Sequence, residues 1–191
     1  PFTVISGLLS NTNYEIGVQS VCGEETESDW TTINITTPCM PIEITSENPY
    51  VEGFEGADFV PVCWSKEDND YYAWESSNNQ AHTGTTSAYS GFYGDIYLNM
   101  PALSLPANPA QLTFWSYNTW PDDYDKNSVM ISTDGINYTE IWSPTSVSQT
   151  WEKTTISLSA YTNQTVYIAF KYEGDNAHGW YVDDVTVEAP S

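Results

Sequence analysis

The residues of this sequence best suited to chemistry are carboxylates. Strand alternation through Gly179-Trp180-Tyr181-Val182-Asp183-Asp184-Val185 places Tyr181, Asp183, Val185 and Val187 on one face. The two valines mark that face as core, so Asp183 is expected at the end of a buried stripe. A lone buried carboxylate is costly. The sequence has no arginine and only four lysines to neutralise one. A hard cation could take that role, and calcium accepts about six to eight oxygen ligands from carboxylates, amides and carbonyls. Glu55 follows Phe54 in the opening strand of the same domain, and in such sandwiches the first and last strands lie side by side. Glu55 and Asp183 are therefore expected to face one structural calcium, helped by backbone oxygens near His82–Gly84. The competing expectation leaves both carboxylates at strand ends, solvated or bonded to backbone amides.

Other constellations are weaker. Asp68-Asn69-Asp70 and Asp122-Asp123-Tyr124-Asp125 are acidic loops. Neither has the glycine and closing glutamate of an EF-hand. Trp115, Tyr117, Trp120 and Tyr124 form an aromatic string running into the second loop. Aromatic faces beside carboxylates suit sugars, and large exposed rings suit protein partners. Trp115 and Tyr117 are expected as core or cross-strand residues. Trp120, Tyr124 and Asp123 are the candidate ligand-binding set. No G-x-S-x-G elbow and no HExxH helix occurs, so no catalytic residue is assigned. His82 and His178 read as structural hydrogen-bonders.

These groups need elements to hold them. Of 191 residues, 40% are hydrophobic and 15% aromatic, enough for a core, and the net charge is -22. Such a charge repels phosphate backbones and anionic lipid, which sets nucleic acid and membrane surfaces aside. Runs of Val, Ile, Thr and aromatics alternate with turn residues, as at Gln111–Tyr117, Ser128–Ser132, Thr139–Trp142, Lys153–Leu158 and Thr165–Tyr172. Asp134-Gly135 between two such runs signals a hairpin. The expected fold is all-β. Prolines 38, 41 and 49 mark a linker at 39–49 between a short segment, 1–38, and a main domain, 50–191. Cys22, Cys39 and Cys63 allow one disulfide with one thiol left over, or three free thiols. The chain reads as a monomeric piece of a longer protein.

In the first segment, Gly7-Leu8-Leu9-Ser10-Asn11-Thr12-Asn13-Tyr14 suggests a tyrosine corner, with the Tyr14 hydroxyl bonding back to upstream backbone. With Ile33-Asn34-Ile35-Thr36-Thr37 it resembles the last three strands of a fibronectin type III domain. The main domain carries Gly53-Phe54-Glu55-Gly56, Val62-Cys63-Trp64, Ala81-His82-Thr83-Gly84, Leu112-Thr113-Phe114-Trp115 and Gly179-Trp180-Tyr181-Val182-Asp183-Asp184-Val185 in that order. This succession resembles MAM domains and, more closely, bacterial cleaved adhesin domains. The resemblance implies a jelly-roll β-sandwich, galactose-binding-like or MAM-like, at an extracellular or cell-surface site. It also implies bound calcium and a non-catalytic adhesive role toward a host or matrix protein or a glycan. A carbohydrate-binding accessory domain of a secreted hydrolase or protease is the alternative.

Overall fold

The structure is a computed structural model that describes residues 3–23, 26–67, 71–119, 126–145 and 148–191. The chain forms two compact units, Pro1–Met40 and Pro41–Ser191. Among the described residues no helix is long and apolar enough to cross a membrane.

The first unit is built on two antiparallel strands, β1 (Asn13–Val18) and β2 (Thr31–Thr36). Tyr14 lies opposite Ile35 and Ile16 opposite Ile33, so the apolar residues share one face. The Tyr14 hydroxyl accepts the Leu9 amide at 2.8 Å, the bond expected of that corner. Cys22 is exposed and free, and Cys39 is disulfide-bonded.

The second unit begins earlier than its prolines suggest. Within the expected linker, β3 (Ile42–Glu43) pairs in parallel with β8 (Leu103–Ser104), and Ile44 is only 1% exposed. The apolar alternation of Ile42 and Ile44 overrides the flanking prolines and carries that segment into the core. Next come β4 (Tyr50–Glu52), β5 (Ser65–Lys66), β6 (Glu75–Ser77) and the long β7 (Ser87–Asn99). After β8 follow β9 (Gln111–Asn118), β10 (Lys126–Ser132), β11 (Thr139–Trp142), β12 (Glu152–Ser157) and β13 (Thr165–Glu188). Cys63 is disulfide-bonded.

Two long bent strands build the sandwich. β7 and β13 pair antiparallel from Ala169–Asn99 to Val182–Ala88. The first half of β13 also pairs with β10, and its second half pairs with β9. Each half therefore belongs to a different sheet. β11 and β5 extend the first sheet, while β12 and β6 extend the second. β4 lies along Val185–Val187, so the first strand of the jelly roll does sit beside the last. The bend falls among glycines. A Cβ on Gly91 would stand 3.2 Å from the Cα of Gly179, and one on Gly179 would strike the Tyr89 ring at 2.3 Å. Only glycine lets the two backbones approach so closely there.

Bending brings the two inner faces together. Phe170 on the first sheet meets Phe114 on the second edge-to-face at 5.1 Å. Trp180 touches Phe170, Trp74 and Trp142 at centroid distances of 6.0, 5.4 and 6.4 Å. Trp74, Trp180, Phe114 and Phe170 are fully buried. Such pairs contribute roughly 0.5–1.5 kcal/mol each beyond the area they bury.

The β10–β11 hairpin forms as its sequence predicts, with Val129 opposite Trp142. Its turn is knotted by Asp134. One carboxylate oxygen accepts the Ile136 and Asn137 amides, both at 2.8 Å, and the other accepts the Asn137 side-chain amide at 2.6 Å. The Asn137 bonds, the Ile136 amide and the Ser132 hydroxyl hold its carboxyl far below the usual carboxylate range. A depressed native pKa contributes stability that is complete above the unfolded value and lost as pH falls through the native one. Asp134→Ala should therefore lower the urea midpoint at pH 7. The gap from the parent should narrow as pH drops below about 4; a gap independent of pH would contradict this account of the turn.

Candidate functional site

The acidic corner lies where β13 is irregular. Asp183 pairs with Trp115 and Thr186 with Thr113, so Asp184 and Val185 together face the single Phe114 of β9. This is a β-bulge. Asp184 takes the left-handed conformation, φ 47°, which aspartate tolerates better than most residues. The extra residue shifts the alternation by one. Val182, Val185 and Val187 face the core, whereas Tyr181 and Asp183 share the outer face with Tyr117 and Trp115. The expectation that Asp183 shares a face with Val185 and Val187 is thus corrected: simple period-two alternation fails across a bulge.

Asp183 is nonetheless fully buried, at 0% exposure, beneath the 82–86 loop. One carboxylate oxygen accepts the His82 amide at 2.8 Å and the Thr83 amide at 3.3 Å; the other accepts the Asp184 amide at 2.8 Å. Burial pushes its pKa up to about 6, against the pull of these amides. Glu55 grips the same loop further on. It accepts the Thr86 amide at 2.8 Å, the Thr85 amide at 3.0 Å and the Thr85 hydroxyl at 2.9 Å. These bonds, led by the Thr86 and Thr85 amides, lower its pKa. Asp184 receives the Thr83 hydroxyl at 2.6 Å and lies 2.5 Å from His82 Nδ1. Glu52 accepts the Phe54 amide at 2.6 Å.

Both predicted acids therefore clamp one loop, each chiefly through backbone N–H groups. Glu55, Asp183, Asp184 and Thr83 present oxygens along this loop, hard donors of the kind calcium takes. Among the described residues, no three His, Cys, Asp or Glu side chains converge closely enough to hold a metal by themselves. A cation here would need backbone oxygens to complete its shell.

The corner opens directly onto a line of rings. His82 stacks on Trp115 with centroids 3.8 Å apart and meets Trp151 edge-on at 5.7 Å. Trp151 contacts Tyr117 at 5.8 Å. Tyr117 sits opposite Tyr181, 5.9 Å away, and Tyr181 leans on Tyr89 at 4.6 Å. Trp115 and Tyr117 are thus half-buried cross-strand residues. The expectation for Trp115 and Tyr117 holds, whereas the whole candidate ligand set, Trp120, Asp123 and Tyr124, lies outside the described residues, as do Asp68-Asn69-Asp70 and Asp122 to Asp125.

The sequence matches the family model described as Cleaved Adhesin Domain over residues 48–147 and 142–187. The chain belongs to the cleaved adhesin domain family. The K1 cleaved adhesin domain of Lys-gingipain from Porphyromonas gingivalis W83 is similar in fold, with a TM-score of 0.62 and 23% identity. That likeness covers 75% of this chain and 99% of the other. A CBM22 xylan-binding domain of Paenibacillus barcinonensis Xyn10C also shares the fold, with a TM-score of 0.55 and 10% identity, covering 73% of this chain and 92% of that one. Bacillopeptidase F of Bacillus subtilis is 27% identical over 161 residues, 74% of this chain. The chain spans 11% of the length of that relative.

Membership makes the chain an adhesion or binding module, and the bulged corner and ring line are the features of this cleaved adhesin domain that need explaining. Nothing in the sequence marks Trp151, Tyr181 and Tyr89 as members of this ring line, although Trp115-Ser116-Tyr117 already alternates large ring, small residue, large ring. Gly84 is the sensitive point of the loop. Its φ is +64°, and an added Cβ would lie 2.4 Å from the Glu55 carboxyl carbon. Gly84→Ala should cost roughly 1–3 kcal/mol through strain and displacement of Glu55. Thermal melts check this, and an unchanged melting temperature would show that the loop does not depend on the Glu55 clamp.

Proposed function

We propose that this domain is an extracellular, non-catalytic adhesive module of a larger secreted or surface protein, and that it holds a host or matrix protein through its outer sheet face. The observation that carries the reading is the aromatic line of Trp115, Trp151 and Tyr117 on that face, half-buried and backed by Tyr181. Interface hot spots are rich in such rings because they bury large area at little entropic cost. The net charge of -22 favours a basic partner and steers its approach.

In the same reading a calcium ion closes the corner, with Asp183 and Glu55 as its carboxylates and backbone oxygens near His82–Gly84 completing its shell. Support comes from the all-oxygen donor set and from a buried acid in a chain without arginine. When bound, the ion would supply the positive charge that no basic side chain brings to Asp183. The first unit reads as the closing part of a fibronectin type III-like spacer. Its support is the Tyr14 corner and the β1–β2 pair.

Two measurements test these statements. An array of extracellular-matrix proteins probed with this chain should give binding that weakens with salt, and that falls about tenfold or more in Tyr117→Ala/Trp151→Ala. Binding indifferent to that double variant would remove the aromatic face from the reading. Metal analysis of purified protein should find calcium, and melting should drop on chelation. Ligand at a hundred times its Kd stabilises by about 2.7 kcal/mol, an effect easily seen. Protein free of calcium with the same melting temperature in EDTA would remove the ion.

A further inference from the structure

The opposite sheet carries a separate concavity. On the outer face of the first sheet, Asn99, Ala169 and Met130 form one cross-strand row, and Tyr97, Lys171 and Ser128 form the next. Glu67 follows β5, and its amide donates to the Tyr97 carbonyl at 2.8 Å. The β10–β11 turn rises beside these rows, bringing Gly135, Ile136 and Tyr138. Glu67, Tyr97, Asn99, Met130, Ile136 and Tyr138 thereby line a groove of about 380 Å³. Ligand pockets run from about 300 to 1,000 Å³, with apolar walls and a few convergent polar groups. This groove is within that size range but more polar than such pockets, its two phenol rings and Met130 standing beside Glu67 and Asn99, a balance closer to that of a sugar than of an apolar ligand.

Its chemistry narrows the ligand. The Tyr97 and Tyr138 rings lie 6.5 Å apart at 51°, giving two apolar faces set at an angle. Burial raises the Tyr138 pKa, with the nearby Glu67 carboxylate, Tyr167 and Tyr97 adding to it, so several polar groups converge on one phenol. Glu67 accepts hydrogen bonds only, the Asn99 amide both donates and accepts, and the phenols do both. Such a mixed set suits vicinal hydroxyls, which also donate and accept. The cations beside the groove are already engaged: Lys171 contacts Asp95 at 3.0 Å and Glu173 at 3.1 Å and lies over the Tyr97 ring, and Lys66 donates to the Trp74 carbonyl at 3.0 Å. Nothing in the groove is therefore left to pair with a sulfate or uronate, and the net charge of the chain repels both.

We infer that this groove binds a short stretch of a neutral oligosaccharide, stacked on Tyr138 and Tyr97 and hydrogen-bonded through Glu67 and Asn99. The inference rests on the reading of the chain as a binding module, but it uses a different sheet from the protein-facing aromatic line, so the two can fail separately. Calorimetry and amide-shift titrations with xylohexaose, cellohexaose and β-1,4-galactotriose at millimolar concentration test it. A heparin hexasaccharide serves as the anionic control. At least one neutral sugar should bind, shifting Tyr97, Asn99 and Ile136–Tyr138, while the heparin sugar should not. Tyr138→Ala should weaken binding about tenfold or more, and Tyr138→Phe by less. Ile136 is 81% exposed at the lip, so Ile136→Arg should block the groove without disturbing the fold. Tyr117→Ala, on the other sheet, should leave sugar binding unchanged. No neutral sugar bound, or binding lost with Tyr117 and kept in Ile136→Arg, would overturn the groove. The matrix-protein result would stand in either case.

Discussion

A carboxylate without exposure, in a chain without arginine, fixes how this sandwich is closed. Asp183 reaches the His82, Thr83 and Asp184 amides, and an unpaired charge at that depth would otherwise cost several kcal/mol. Those three N–H groups keep it ionised near neutrality, though burial opposes them. Much else follows from this one anchoring. The 82–86 loop is held down, Glu55 finds its own amides on it, and β4 is kept in register beside β13. His82 is set flat on Trp115, which starts the line of rings.

The bulge and the bend perform complementary tasks. The bend at Gly91 and Gly179 lets one pair of strands serve both sheets, so the aromatic core is assembled from sequence-distant halves of the same ribbons. The bulge at Asp184 then reverses which residues face that core. Without the extra residue, the valines at 185 and 187 and the acid at 183 would compete for the same side. The left-handed backbone at Asp184 is the local cost of having an apolar inner face and a polar outer corner on one strand.

Much of this was legible in the residues. The all-β character, the Asp134-Gly135 hairpin, the pairing of first and last strands and the tyrosine corner all follow from short-range signals whose physics is local. The burial of Asp183 was expected for the wrong reason: the 82–86 loop covers it on the outer face, rather than the core beneath Val185 and Val187. Its face was not legible, because a bulge leaves no simple mark in the sequence. Nor was β7 evident: Gly91 and Gly94 interrupt its pattern, and they do so because the strand must bend. The groove between Tyr97 and Tyr138 joins residues about forty positions apart. Only the strand register brings them together.

The four lysines have a consequence of their own. Lys66, Lys126, Lys153 and Lys171 each lie in a β-strand, and no arginine occurs anywhere in the chain. Peptidases bind their targets as extended, unpaired segments, which strands already committed to neighbours do not supply. For an enzyme that cuts after basic residues, three of the four scissile bonds therefore lie inside paired strands, and the fourth, after Lys66, lies at the end of β5, where the Glu67 amide still bonds the Tyr97 carbonyl. The folded domain thus offers such an enzyme little, whereas the unfolded chain would offer it four sites.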